Sequence, residues 1–217
     1  MNWKKIPVVM ICMDAREEVA AMENLCRAGL PFGDPNLFPA VNGFRVGAPP
    51  WFKGTSGAWG CWRSHLSLWE RMLSDGTEAL AVFEEDVVTH EDAREHVRIA
   101  EFLQRVPDDW DMVYLGGQVW QGPQPERVAD GVYRSGGLLR THAYVVKNTA
   151  SVNAAYHRLC TMQPSVRGQK PMDYVLADMM ESGQLRVYMP GKWFCGQAAG
   201  TSRTKGDTRP ELWWEWQ

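Results

Sequence analysis

Residues 79–83, Ala-Leu-Ala-Val-Phe, form an unbroken apolar run that stops abruptly at Glu84-Glu85-Asp86. A run without polar alternation predicts a strand buried on both faces, the kind from which parallel sheets are built. Open α/β sheets bind ligands at the carboxyl ends of their strands, and this end carries three acids. Side chains two apart on a strand share a face, so Glu84 and Asp86 project together and Glu85 projects the other way. Carboxylates this close resist ionising together unless something positive compensates. A divalent cation is the simplest compensation, and oxygen-only ligands favour Mg²⁺, Mn²⁺ or Ca²⁺. The competing reading is a solvated acidic turn, continued by His90, Glu91 and Asp92.

The chain around this stretch alternates strand and helix. Residues 6–13 predict a first buried strand, followed by Asp14 as the cap of a helix over about 15–28, with Glu17 as its capping-box partner. The same position places Asp14 and Arg16 where a ligand would lie, so Asp14 reads as cap, as ligand contact, or as both. A short strand over 37–41 ends in Asn42-Gly43, and the Gly- and Pro-rich residues 44–56 read as a loop. In a helix over 57–74, Trp62, Leu66, Trp69 and Leu73 make one apolar stripe, and Cys61, His65, Leu68 and Met72 make an adjoining one. His65 is either a satisfied core residue or a support for the acidic strand end.

Further on, the pattern predicts a helix over 91–104 and a strand over 111–115 ending in Gly116-Gly117, as an ordinary turn or as a place where a ligand approaches the backbone. Residues 132–135 and 138–146 read as a hairpin across Gly136-Gly137, carrying Arg140, Thr141, His142 and Tyr144. Helices over 148–160 and 172–182 follow, the second opened by Pro171, then a strand over 185–189. Residues 196–207 read as a polar, basic and mobile tail. Alternation of this kind predicts an α/β fold with a mixed, mostly parallel sheet flanked by helices.

The 217 residues suit a single domain. A net charge of −3 excludes a highly charged disordered chain and argues against a broad electrostatic footprint for nucleic acid. Eleven Trp are the outlier, and their flat faces serve either the core or sites for sugars and bases. The five Cys are scattered without a C-x-x-C pair, which reads as reduced thiols of a cytoplasmic protein. No signal peptide or transmembrane segment is expected.

Several pieces in order resemble glycosyltransferase family 25, which includes lipooligosaccharide galactosyltransferases and collagen galactosyltransferase domains. Gly60-Cys61-Trp62-Arg63-Ser64-His65 resembles the family's Gly-Cys-x-x-Ser-His helix, and residues 79–87 its apolar strand ending Glu-Asp-Asp. Ala40-Val41-Asn42-Gly43 is similar to Ala-Val-Asp-Gly, residues 111–116 to Asp-x-x-x-Leu-Gly, residues 141–146 to the Thr-x-Ala-Tyr strand, and Pro171-Met172-Asp173 to Pro-x-Asp. The set covers about residues 6–205. Two positions depart from the pattern: Glu85 replaces Asp, and Asn42 replaces an acid.

The resemblance implies a GT-A-like, Rossmann-like fold. It implies a donor-binding half over about 1–118, an acceptor-side half over about 119–205 and a tail over 206–217. It implies a nucleotide-sugar donor, a UDP-hexose, with Mn²⁺ or Mg²⁺, and transfer with inversion. By position, Glu84, Glu85 and Asp86 would be the metal acids, Glu84 also meeting the donor, and His142 would add a nitrogen ligand. Asp14, Arg16, Asn42, Ser64, His65, Gly116 and Gly117 would lie near the donor, and Asp173 would be the base. Gln197 and Ser202 would sit in the closing segment, with Arg203 and Lys205 covering the diphosphate. The acceptor would be a saccharide, a protein hydroxyl or a hydroxymethylated DNA base. Two other classes fit the acids: a metal-dependent phosphoesterase or nuclease, and a non-catalytic saccharide- or nucleotide-binding module.

Overall fold

The computed structural model describes residues 1–13, 22–23, 25, 30–89, 95–120, 122–161, 171–201 and 207–216. Asp14, Arg16, most of the helix expected over 15–28, the residues 90–92, and Ser202, Arg203 and Lys205 lie outside the described residues.

The strands are β1 Val8–Cys12, β2 Pro35–Pro39, β3 Ala79–Glu84, β4 Val87–Thr89, β5 Met112–Val119, β6 Glu126–Ala129, β7 Val132–Arg134, β8 Leu138–Lys147, β9 Val187–Pro190, β10 Cys195–Gln197, β11 Gly200–Thr201 and β12 Thr208–Arg209. The helices are α1 Gly43–Val46, α2 Ser56–Ser74, α3 Glu95–Arg105, α4 Ala150–Thr161 and α5 Met172–Glu181. Eight strands form one sheet in the order β2-β1-β3-β8-β5-β9-β7-β6. Six of them (β2, β1, β3, β5, β9 and β6) point the same way, and β8 and β7 oppose them. The expected α/β architecture, a mixed and mostly parallel sheet flanked by helices, is the one observed.

Both faces of the sheet are covered, which is why the central strands carry no alternation. Leu80 and Val82 of β3 face a cluster with Trp62, Leu66 and Trp69 of α2, Val152 and Leu159 of α4, and Val175 and Leu176 of α5. Ala79, Ala81 and Phe83 face the opposite cluster, with Ile99, Phe102 and Leu103 of α3. Glu84 continues the α2 side by the same period of two. In α2, both predicted stripes are buried apart from Cys61 and Leu73, which are partly exposed. Thr55 caps the helix, its side chain accepting from the Ala58 amide at 3.1 Å.

Four expectations are corrected. The Gly136-Gly137 hairpin does not form: β7 pairs with β6 and β9, while β8 lies between β3 and β5. The tight hairpin is β6–β7 instead, turning at Gly131 with φ 68°. Gly116 and Gly117 do not end a strand; β5 runs through them with register shifts against β8, as glycines at a bulge allow. The loop over 44–56 begins with α1, whose cap is Asn42. The segment beyond residue 195 is in part built in, since β10 pairs with β4 and Gly196 and Gln197 are buried.

α1 crosses α2 at a contact that only glycine permits. A Cβ on Gly60 would collide with the Val41 carbonyl and the Gly43 amide. Gly60→Ala is therefore expected to destabilise the chain by about 1–3 kcal/mol in urea unfolding. Gly122, where an added Cβ would meet no atom within 4 Å, serves as the control, and Gly122→Ala should stay near neutral. Equal effects at the two sites would refute the close-crossing account.

Candidate active site at the carboxyl end of β3

The antiparallel strand β8 brings its early residues to the carboxyl end of β3, because Phe83 pairs with Ala143. Glu84 Oε1 accepts from the Thr141 hydroxyl at 2.8 Å and meets His65 Nε2 of α2 at 3.3 Å. Behind His65, its Nδ1 lies 2.9 Å from the Tyr144 hydroxyl, which accepts from Trp69 Nε1 at 3.0 Å. Trp69 is donor only, so the Tyr144 proton is left for His65 Nδ1. That assignment places a proton on Nε2, donated to Glu84. The chain Trp69–Tyr144–His65–Glu84 is thus oriented throughout, and Glu84 Oε2 makes no hydrogen bond among the described residues. Burial pushes the Glu84 carboxyl upward, but the His65 bond first, then the nearby His65 and His142 imidazoles and the Thr141 bond, hold it below the ordinary range.

Asp86 lies beyond the strand and is compensated differently. Its Oδ2 accepts from Gln197 Nε2 at 2.9 Å and Arg209 Nη2 at 3.2 Å, while its Oδ1 is buried without a partner among the described residues. Burial first, then the Glu84 charge, raises its carboxyl to about 7 against the pull of Gln197 and Arg209. Glu85 is turned toward β1, as the strand period requires, and its Oε2 accepts from the Met13 amide at 2.6 Å.

Asp173 stands in the first turn of α5, where Oδ2 accepts from the Arg140 amide and Oδ1 from the Tyr174 amide, each at 3.1 Å. Burial raises its carboxyl, with Glu84 adding to the rise, against the backbone bonds and the Arg140 charge. The helix N-terminus favours its charged form, but burial outweighs that. Arg140 has φ 75° and Trp214 φ 41°, the two non-glycine residues with positive φ among the described residues. They stack on each other at 4.8 Å. Arg140 Nε also donates to Gln118 Oε1 at 3.2 Å.

The remaining expected site residues fall into three groups. His142 is fully buried, its Nε2 3.5 Å from the Cys195 carbonyl and its Nδ1 without a partner among the described residues. Burial lowers its imidazole to about 4. Ser64 is a brace, accepting from the Val41 amide and donating to the Gly60 carbonyl, both at 2.8 Å. Asn42 is spent capping α1, accepting from Phe44 and Arg45 amides at 3.0 and 3.2 Å. The space that a ligand would need over Gly116 is taken by Cys195 and His142, and that over Gly117 by Tyr114, Leu139 and Trp193. Both glycines therefore serve packing between strands. An open cavity of about 610 Å³ lies apart from the acids, lined by Val41, residues 46–49, Trp59 and Arg63.

Sequence reasoning gave no role here to Thr141, Tyr144 or Arg209. Thr141 and Tyr144 stand in the strand that resembles the family pattern, but three apart they fall on opposite faces of a regular strand, so the period gave no signal that both would serve Glu84. Nothing local marks Arg209. The C-terminal segment bridges Gln197 to Leu212, lays Trp213 against Gly196, and fixes the Trp214 carbonyl on Trp193 Nε1 at 3.0 Å. No helix among the described residues is long and apolar enough to cross a membrane.

The sequence profile of Glycosyltransferase family 25 (LPS biosynthesis protein) matches residues 53–121, the span that contains α2, β3 and the acids. The chain is 29% identical over 140 residues to human "Inactive glycosyltransferase 25 family member 3", covering 64% of this chain and 23% of that protein. It is 30% identical over 79 residues to mouse "Procollagen galactosyltransferase 2", covering 36% of this chain and 13% of that protein. The chain spans less than a quarter of the length of these curated relatives. Among solved structures, it is similar to a glycosyltransferase involved in glycosylation of the major capsid of PBCV-1, at TM-score 0.49 and 11% identity, over 92% of this chain and 95% of that one.

Asp86 and His142 make opposite demands on pH. Asp86 is raised from 3.8 to about 7, so its contribution to stability is complete at low pH and is lost as pH rises through 7. His142 is lowered from 6.5 to about 4, so its contribution is present above 6.5 and is lost as pH falls through 4. Urea unfolding across this range is expected to show Asp86→Asn gaining on the parent as pH rises, and His142→Gln losing on it. Parallel curves for all three proteins would refute these assignments.

Proposed function

We propose that this chain, which carries the family 25 signature across its acidic strand end, transfers a hexose, galactose or glucose, from a UDP-sugar to a hydroxyl acceptor. The observation that carries the reading is the gathering of Glu84, Asp86 and Asp173 at one end of the sheet. They are close enough that Glu84 raises both aspartates.

Buried like charges of this kind call for a cation, and the residues fit one. Asp86 Oδ1 is buried without a partner, and Glu84 Oε2 is uncommitted among the described residues. Glu84 and Asp86 would hold Mn²⁺ or Mg²⁺, with His142 Nδ1 as the nitrogen nearby and Glu85 turned away. The ion would supply positive charge to the departing diphosphate.

The chain's own residues then divide the work. His65 and Thr141 fix Glu84 in one orientation. Asp173 takes the proton of the acceptor hydroxyl as its oxygen bonds to the anomeric carbon. The bond from that carbon to the diphosphate breaks, its electron pair leaving with UDP, and the configuration inverts. A carboxyl raised by burial suits a base working near neutral pH.

A second reading is a binding module without turnover. It is favoured by the engagement of Asp86 Oδ2 with Arg209 and Gln197.

Calorimetry with UDP-, GDP- and CMP-sugars, in Mn²⁺ and in EDTA, tests the proposal. UDP-sugar is expected to bind only with metal, and Asp86→Asn should abolish binding. Asp173→Asn should keep donor affinity while lowering transfer by about 100-fold or more, read with saccharide, peptide and hydroxymethylated DNA acceptors. Binding without transfer or donor hydrolysis favours the module. Failure to bind any donor, or cleavage of nucleic acid instead, overturns the transferase.

A further inference from the structure

Glu84 has a second set of neighbours besides the acids. Among the described residues, Cys61, His65 and Glu84 are the group of three whose ligand atoms all lie within 4.8 Å of one another. Cys61 and His65 are four apart on α2, so both project from the same side of the helix. Glu84 faces them from the end of β3, 3.3 Å from His65 Nε2. His65 is buried, whereas Cys61 and Glu84 are partly exposed, so the group is open to solvent on one side.

We propose that Cys61, His65 and Glu84 form a zinc site with its fourth position open to solvent. Thiolate, imidazole and carboxylate are the ligand types that Zn²⁺ takes, three from protein with water in the fourth place. A thiol selects against Mg²⁺ and Mn²⁺, which prefer oxygen. Bond lengths of about 2.0–2.3 Å ask the three ligand atoms to draw together around the ion, and the partly exposed Cys61 and Glu84 side chains are the ones with room to do so.

His65 already has the outer support that metal-bound histidines require, because its Nδ1 is 2.9 Å from the Tyr144 hydroxyl. On binding, the thiol proton leaves to solvent. The imidazole proton moves from Nε2 to Nδ1, the Tyr144 O–H turns away so that its oxygen accepts from Nδ1 as well as from Trp69 Nε1, and Nε2 becomes the ligand. Burial first, then the negative surroundings of Glu84, Asp173 and Asp86, disfavour a free thiolate here, and a thiolate that arrives with a dication escapes both penalties.

Glu84 is common to this site and to the acid cluster. Zinc therefore competes with any cation held by Glu84 and Asp86. The site itself does not depend on glycosyl transfer.

The test is a titration of the metal-free full chain with Co²⁺, which reports four-coordinate thiolate sites by its visible bands and a near-ultraviolet sulfur-to-metal band. One Co²⁺ per chain is expected at micromolar metal, with both signals displaced by Zn²⁺. Cys61→Ser should lose the sulfur band. His65→Gln and Glu84→Gln should each weaken binding by at least about tenfold. Cys160→Ser removes an exposed thiol elsewhere and should change nothing. Thermal melts establish that each variant is folded. No sulfur band, a band that survives in folded Cys61→Ser, or binding only at millimolar metal overturns the site. Each of these outcomes is independent of whether UDP-sugar binds in the preceding experiment.

Discussion

The structure turns on a carboxylate placed at the end of a strand with no polar surface. β3 is buried along both faces up to Phe83, and Glu84 is the first residue that can carry charge. Burying an isolated carboxylate is costly unless donors compensate. The chain answers from two elements: β8 supplies Thr141 and Tyr144, and α2 supplies His65, with Trp69 holding Tyr144 behind it. Each donor lies inside a closely packed element, so the orientation of Glu84 is inherited from the core. A substitution at Tyr144 or Trp69 would act on the site without touching a ligand.

β8 is the reason these groups meet. It runs against its neighbours β3 and β5, so its amino-terminal residues arrive where the parallel strands end. Thr141 contacts Glu84, His142 packs under Cys195 and Trp214, and the Arg140 amide holds Asp173. Arg140 adopts a left-handed backbone against Trp214, which does the same. Strained backbone persists where its surroundings over-determine it, and it gathers at functional sites. Here it lies between the proposed base and the C-terminal segment.

What could be read beforehand followed the range of the interactions. α2 and β3 are legible because their signals are local: helical spacing with Thr55 as cap, and an apolar run ending in acids. The opposed directions of Glu84 and Glu85 follow from the strand period alone. The β8 partnership was not legible. Gly136-Gly137 between two apolar runs is a hairpin signal, but β9, which follows only after α4 and α5, takes the edge that β8 would have used. Gly116 is a similar case, since its lack of a side chain is required by Cys195, which nothing near Gly116 announces. Arg209 had no local signal at all, because its meaning comes from where the segment from Leu212 to Trp214 is anchored.

That anchoring bears on how the charge at the site is balanced. Asp86 keeps one oxygen occupied by Gln197 and Arg209 and one with no partner among the described residues. A guanidinium supplies positive charge but leaves the second oxygen unsatisfied, so the acid is only partly compensated and stays raised. The segment that delivers Arg209 is held by the β11–β12 pairing, in which Arg209 lies opposite Gly200, and by the reciprocal pair between Gln197 and Leu212 at 2.9 Å. Its aromatic contacts are larger: Trp213 on Gly196, Trp214 on Arg140 and His142, and Trp216 on Tyr133 at 5.0 Å. Flat aromatic contacts tolerate sliding better than hydrogen-bonded ladders do, because they are less directional. A cation that satisfies both Asp86 oxygens would therefore compete with Arg209 for the acid while the Trp contacts keep the segment in place. The freed guanidinium would remain beside the site, where the diphosphate of the proposed donor would need a hydrogen-bond partner.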